Sequence, residues 1–213
     1  MTRLDAAGVC YHGARCKLWM ANMVRSLFKL TAVLFTLGAC APQGGLLVSD
    51  EAEAVGGNLF VETSSDGSQF LVLDGEITEK TSFAFQSVLE QAEVEGLVIA
   101  QSPGGNLLAA HQIGRAINER RINTIVLVAC ISACVDIFIA GESREMMDLA
   151  ELGLHAATDR EFAYEIDRRY WGALGFGRVN EMAYQVPNDK LWIISAKRAR
   201  ELRLATDIIA SDG

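Results

Sequence analysis

The chain has 213 residues, half of them apolar, with 22% charged residues, three prolines and a formal net charge of −8. This length suffices for a domain with a substantial core, and the apolar content excludes a mostly disordered chain. The acidic balance argues against nucleic acid as the main partner, because phosphate binding needs a basic surface. Five cysteines are too few for a disulfide-built scaffold of this size.

The first 39 residues have the pattern of an export signal. Arg25 and Lys29 precede a short apolar stretch, residues 30–37, which is too short to span a membrane comfortably. The stretch ends in the sequence LGAC, which resembles a bacterial lipobox and implies lipidation of Cys40. An ordinary cleaved signal and a short uncleaved anchor are the alternatives.

The boundaries around this signal follow from composition. Residues 1–22 fit a signal poorly, so Met20 or Met23 is the better start. Residues 40–57 are small, polar and acidic with paired glycines, which is typical of a flexible tether. We therefore expect residues 58–213 to form one domain on the periplasmic side of a bacterial cell envelope, held at the membrane by an N-terminal lipid or signal anchor.

Strand-like and helix-like segments alternate beyond the tether. Short apolar runs predict strands at residues 59–62, 70–73, 97–100, 124–129, 152–154 and 207–210. Helical spacing and capping residues predict helices at residues 81–92, 107–120, 132–140 and 196–203, and over much of 158–186. This order favours an α/β domain with parallel strands.

The first junction that could carry chemistry is the sequence SPGG, which ends in Gly104 and Gly105. Paired glycines after a strand let the backbone turn sharply and expose N–H groups near the start of the next helix. Such a junction suits an anion or a developing oxyanion. A plain tight turn is the alternative.

The second junction places Ser132 between a strand and an apolar helix. Here the serine can cap the helix, or it can act as a nucleophile whose negative intermediate is stabilised by the Ala133 N–H and the helix dipole. A nucleophile needs a base, and His155 follows a strand where it can reach into a cleft. His111 lies within a helix, so we expect it to pack in the core or lie at the surface.

In chain order, SPGG, the sequence CISAC around Ser132 and GLH ending at His155 resemble the Clp-type serine peptidases of the Clp/crotonase fold. The resemblance covers about residues 70–210. It is strongest to periplasmic relatives of these peptidases, in which cysteines flank the serine. It implies a ββα superhelix with mostly parallel strands and surrounding helices.

The resemblance also implies the roles of the site residues. Ser132 would be the nucleophile and His155 the general base. Gly104 or Gly105, together with Ala133, would supply the oxyanion-hole N–H groups, with Gly105 the favoured donor. The reaction would be acyl transfer at an amide carbonyl through an acyl-enzyme.

Three carboxylates compete for the role of triad acid. Relatives place an aspartate shortly before a terminal helix, and Asp189 matches that position best. Asp207 is the fallback. Asp136 stands one helical turn after Ser132 in an otherwise apolar segment, so it should be paired, protonated or facing the cleft, because an unpaired buried carboxylate is costly.

Two further features accompany this site. Cys130 and Cys134 can form a disulfide outside the cytoplasm, or they can be two small buried residues. Residues 161–177 are aromatic and charged; we expect a packed surface helix, with a lid or substrate wall as the alternative. With one histidine nearby in sequence, no metal site is expected, and no cofactor is implied.

The sequence therefore predicts an envelope serine peptidase that acts on a peptide or protein. The main alternative is a catalytically inactive envelope lipoprotein of the same fold that serves as a binding or scaffold module. A crotonase-type acyl-CoA enzyme shares the oxyanion logic, but the export signal argues against it. Because this fold commonly builds rings or trimers, a homo-oligomer is also expected.

Overall fold

The computed structural model describes residues 48–211. The predicted export signal and residues 40–47 of the predicted tether, which include Cys40, lie outside the described residues. Among residues 48–211, no helix is both long and apolar enough to cross a bilayer.

Strands and helices alternate along most of this range. The strands are β1 (Glu53–Gly56), β2 (Leu59–Thr63), β3 (Gln69–Asp74), β4 (Gly96–Ser102), β5 (Asn123–Ile131), β6 (Arg144–Met147), β7 (Glu151–Leu154), β8 (Trp192–Ser195) and β9 (Asp207–Ile209). The helices are α1 (Glu79–Gln91), α2 (Leu107–Arg120), α3 (Ala133–Phe138), α4 (Arg160–Ala173), α5 (Gly177–Ala183) and α6 (Ala196–Glu201). Every strand and helix predicted from the sequence is confirmed, whereas β1, β6 and β8 were not predicted.

One mixed sheet organises the domain, with the strand order β1-β2-β3-β4-β5-β6-β9. The steps from β3 to β4, β5, β6 and β9 are parallel, which confirms a mostly parallel α/β fold. The sheet forks at β5, whose first half pairs with β6 and whose last residues pair with β7. The fork brings the end of β7 beside the end of β5.

Local capping explains where the helices begin. Asn106 accepts a hydrogen bond from the Ala109 N–H and so starts α2 at the residue predicted from the sequence. Ser195 accepts a hydrogen bond from the Arg198 N–H and starts α6 in the same way. Arg121 ends α2 in the left-handed conformation.

Strand β1 corrects one predicted boundary, because residues 53–56 were placed in the tether. They form a hairpin with β2 through a two-residue turn at Gly57 and Asn58, whose φ angles are 60° and 62°. Left-handed φ at both positions matches the twist of antiparallel strands, so this turn favours a hairpin over an extended tether.

The main core lies between the sheet and the helices. Phe85, Ile113 and Phe138 bury their side chains there, together with apolar residues of β3, β4 and β5. This core holds the carboxyl ends of β4, β5 and β7 in fixed relative positions, and those ends carry the predicted site residues.

Candidate active site

Ser132 sits at the sharp turn between β5 and α3. Its φ of 55° and ψ of −130° lie outside the regions that a serine adopts easily. The Ser132 N–H donates to the Gly153 carbonyl at 2.7 Å, and its carbonyl accepts from the Val135 N–H at 2.9 Å. These bonds hold the strained turn, which is the backbone geometry that presents a nucleophilic serine at a strand–helix junction.

The Ser132 side chain does not cap α3. It lines a cleft of about 230 Å³ instead. The cleft is formed by Gly105, Leu107, Ser132, Ala133, Asp136, Leu154, His155, Ala157, Thr158, Asp159, Phe162, Ala163, Asp167, Trp171, Asn180, Ala183, Tyr184 and Asn188. The cleft thus brings together four of the predicted site residues, Ser132, His155, Gly105 and Ala133.

The two glycines after β4 have different positions. The Gly104 N–H donates to the Ser102 hydroxyl at 3.2 Å, and a Cβ on Gly104 would lie 2.9 Å from the Ser132 Cβ. Gly105 lines the cleft with a φ of 140°. Since its own N–H is engaged by Ser102, Gly104 shapes the turn against Ser132, and Gly105 and Ala133 are the amides at the cleft.

His155 follows β7 and is half-buried at the cleft. Its Nδ1 lies 2.9 Å from the Ala156 carbonyl, which can only accept, so a proton on Nδ1 completes this hydrogen bond. This tautomer leaves Nε2 free to accept a proton. Within residues 48–211, no hydrogen bond joins Ser132 to His155; catalytic hydrogen bonds of this kind often tighten only when substrate binds.

The third position of the site differs from the sequence prediction. Asn188 Nδ2 lies 3.0 Å from His155 Nδ1 and donates to the Ala156 carbonyl at 2.9 Å. Asp189, predicted for this place, is exposed and does not line the cleft. Asp207, the fallback, pairs with Arg200 on the edge strand β9. An amide therefore stands where a carboxylate was expected, because the loop before β8 turns position 188 toward the histidine.

Asp136, the third carboxylate considered, is 4% exposed and is tied to a different histidine. Its Oδ2 lies 3.6 Å from His111 Nε2, and Asp167 Oδ1 lies 3.1 Å from the same nitrogen. Burial alone would lower the pKa of His111, but the two carboxylates outweigh burial and raise it to about 9. Burial raises the pKa of Asp136. His111 is thus a core residue with charged partners, and Asp136 is both paired and at the cleft.

Helix α4 supplies one wall of the cleft, where a surface helix was the favoured prediction. Phe162, Asp167 and Trp171 project from it toward the site, and the Trp171 indole donates to Asp136 Oδ1 at 2.5 Å. The opposite face of α4 carries exposed charges, including an ion pair between Glu165 and Arg168. Helix α4 is therefore a packed surface helix, as predicted, and its inner face also lines the cleft.

Cys130 and Cys134 form a disulfide across the Ser132 turn. Cys130 is the residue of β5 that pairs with Leu152 of β7, and Cys134 lies in the first turn of α3. The bond joins the strand to the helix around the nucleophile position, and both cysteines are fully buried.

Sequence reasoning missed Asn188, Asp167 and the partnership of His111. Asp167 and His111 lie on different helices and are separated by more than fifty residues, so no local spacing connects them. Asn188 was adjacent to the predicted residue, and a preference for a carboxylate directed the choice to its neighbour.

Comparison with known proteins informs the fold. No protein-family description and no curated protein matches the chain. Among solved structures, the chain is similar to a serine-to-alanine mutant of the membrane-bound stomatin-specific protease 1510-N, with a TM-score of 0.50 and 17% sequence identity. The similarity covers 65% of this chain and 77% of that one. At this identity the similarity concerns the fold alone, and it agrees with the mostly parallel α/β architecture described above.

Proposed function

We propose that this protein is a serine peptidase of the Clp-like type, located in the bacterial cell envelope. Ser132 is the nucleophile and His155 the general base. Asn188 acts on the histidine through the Ala156 carbonyl, to which its amide donates. Gly105 and Ala133 supply the oxyanion-hole N–H groups.

The observation that carries this proposal is the conformation of Ser132. A non-glycine residue with positive φ costs free energy, and such strain persists where the surrounding structure enforces it, often at an active site. A serine that merely caps a helix needs no strain and uses its hydroxyl for the cap. Ser132 is strained and its hydroxyl does not cap α3. Its side chain lines the same cleft as His155.

The mechanism follows from the hydrogen bonds of His155. With its proton on Nδ1, held by the Ala156 carbonyl, the imidazole presents Nε2 as a base toward the cleft. His155 takes the Ser132 hydroxyl proton as Oγ attacks the substrate carbonyl, and it returns that proton to the leaving amine. Water then clears the acyl-enzyme with His155 again acting as the base.

The oxyanion hole uses backbone amides from the two junctions. The amides of Gly105 and Ala133 border the same cleft, so an oxygen between them would receive two N–H donors. Removing one donor of such a hole typically raises the barrier by roughly 3–4 kcal/mol. The positive φ of Gly105 explains why glycine is needed at this position.

Different observations support the peptide substrate and the envelope location. The similar solved structure is that of a protease, which favours an amide carbonyl as the target. The LGAC sequence ending at Cys40 and the disulfide between Cys130 and Cys134 support an oxidising compartment outside the cytoplasm.

The test is covalent labelling with a fluorophosphonate probe, which reacts with activated serines. We expect the purified protein to be labelled at Ser132, and labelling to be lost in Ser132→Ala. Ser87→Ala is the matched control, because Ser87 lies on α1 and does not line the cleft. If the folded protein remains unlabelled from about pH 6 to 9, across the range where a histidine base becomes neutral, the peptidase proposal fails and the non-catalytic binding module takes its place.

A further inference from the structure

Three helices bring one buried histidine and two buried aspartates together, and the two aspartates border the cleft. His111 comes from α2, Asp136 from α3 and Asp167 from α4. We propose that this trio, here called the HDD cluster, binds one divalent cation of the zinc type. The proposal goes beyond the peptidase function and does not depend on it.

The distances within the HDD cluster suit a shared metal ion. His111 Nε2 lies 3.1 Å from Asp167 Oδ1 and 3.6 Å from Asp136 Oδ2, and one ligand atom from each residue lies within 4.8 Å of the others. Zinc binds nitrogen and carboxylate oxygen at about 2.0–2.2 Å in tetrahedral geometry, which sets neighbouring ligand atoms about 3.3–3.6 Å apart. The two observed nitrogen–oxygen distances lie close to that spacing.

The converging atoms are also without hydrogen bonds. Three buried atoms make no hydrogen bond within the part of the chain that the structure describes. They are the two ring nitrogens of His111 and Oδ1 of Asp167. Buried polar atoms normally find a partner, so a close approach without an aligned N–H is unusual. A cation at the point of convergence would satisfy His111 Nε2 and Asp167 Oδ1 together.

The remaining oxygen of each aspartate is held from outside the cluster. The Trp171 indole donates to Asp136 Oδ1 at 2.5 Å, and the Tyr184 hydroxyl donates to Asp167 Oδ2. The His111 ring stacks on Tyr170, with ring centroids 3.9 Å apart. Metal-binding carboxylates and imidazoles are commonly oriented by such outer contacts, which leave the inner atoms aimed at the ion.

An ion can reach this site from the cleft. Asp136 and Asp167 both line the cleft. The buried Asn180 lines it as well, and among residues 48–211 its amide nitrogen has no hydrogen-bond partner. Three protein ligands leave a fourth coordination position for water from the cleft. Nitrogen from imidazole favours zinc and its transition-metal neighbours over magnesium or calcium, which prefer oxygen ligands throughout.

Binding must release any proton held by the HDD cluster, because a metal ligand is neutral imidazole or ionised carboxylate. The ion would then take the place of a proton between the three side chains and would join α2, α3 and α4. The expected consequence is a more stable folded state in the presence of the ion.

The full-length protein is first freed of metal with a chelator and then titrated with Zn²⁺ in a calorimeter. The unfolding temperature is measured separately with and without Zn²⁺. A parallel titration with Co²⁺ reports the ligand geometry through visible absorption. We expect one tight equivalent, a higher Tm with Zn²⁺, and at least about a 100-fold loss of affinity in Asp167→Asn. That substitution preserves side-chain shape, so the variant should remain folded.

The matched control is Asp159→Asn. Asp159 lines the same cleft but lies outside the HDD cluster, and asparagine caps a helix as well as aspartate does. This variant should bind Zn²⁺ like the parent protein, as should His155→Ala. The proposal is overturned if the parent protein binds no Zn²⁺, or if Asp167→Asn binds it as tightly as Asp159→Asn does. Neither result bears on fluorophosphonate labelling, so the two proposals fail separately.

Discussion

The two histidines of the domain, His111 on α2 and His155 after β7, occupy opposite environments. His155 is half-buried at the cleft, and its contacts are the Ala156 carbonyl and the Asn188 amide, both uncharged. His111 is 1% exposed, stacked on Tyr170 and close to two carboxylates.

This difference separates a base from a structural or ligand-binding residue. A neutral imidazole held at Nδ1 can accept and return a proton during turnover. An imidazole between two buried carboxylates instead stabilises the charges around it, and its removal exposes those charges to one another. The same residue type thus serves two purposes because packing, not the histidine itself, determines its partners.

The largest contrast should appear in His155→Ala. Loss of the base should slow fluorophosphonate labelling by roughly 10²–10⁴-fold. The free energy of unfolding should change by less than about 1 kcal/mol, since the side chain is half exposed and its contacts are few. Labelling kinetics and urea denaturation measure the two quantities, and unchanged labelling would remove His155 from the mechanism.

His111→Ala should show the reverse pattern. With chelator present, we expect a loss of about 3–5 kcal/mol in the free energy of unfolding, because two buried carboxylates lose their cationic partner. Urea denaturation gives this value, and the surface variant Arg168→Ala, whose ion pair is exposed, should lose less than about 1 kcal/mol. A similar small loss in both variants would show that His111 is not charged in the folded protein.

A smaller effect distinguishes Asn188 from its neighbour. Asn188→Ala should slow labelling by about 10- to 100-fold, because the Ala156 carbonyl beside His155 Nδ1 loses the hydrogen bond from Asn188. Asp189→Ala should change the rate by less than about twofold, since Asp189 does not line the cleft. The reverse ranking would restore Asp189 as the group beside the base.

The smallest effect concerns the disulfide next to Ser132. Reduction of the bond between Cys130 and Cys134 should lower the free energy of unfolding by about 2 kcal/mol, the value expected for so short a loop. Denaturation with and without dithiothreitol measures this change. A Cys130→Ser/Cys134→Ser double variant should no longer respond to the reductant; a continued response would assign the effect to other cysteines.

Local patterns in the sequence predicted much of the fold and several of the residues that line the cleft. Ser132 and His155 were identified because each follows an apolar run that forms a strand, and Gly104 and Gly105 because paired glycines mark a tight turn. Such signals lie within a few residues of one another, where strand and helix periodicity operate. Strands β6 and β8 escaped prediction because they are short and their burial comes from neighbours in the sheet.

The amino-acid sequence by itself determined the alternation of strands and helices, the parallel α/β class and the two junctions that carry glycine and serine. Only the tertiary structure decided that Asn188, not Asp189, faces His155, and that His111 meets Asp136 and Asp167. The reason is physical: the path of a loop selects which of two adjacent side chains contacts the histidine, and helix packing joins residues that are far apart along the chain. Neither the path of a loop nor the packing of distant helices produces a periodic pattern in the sequence.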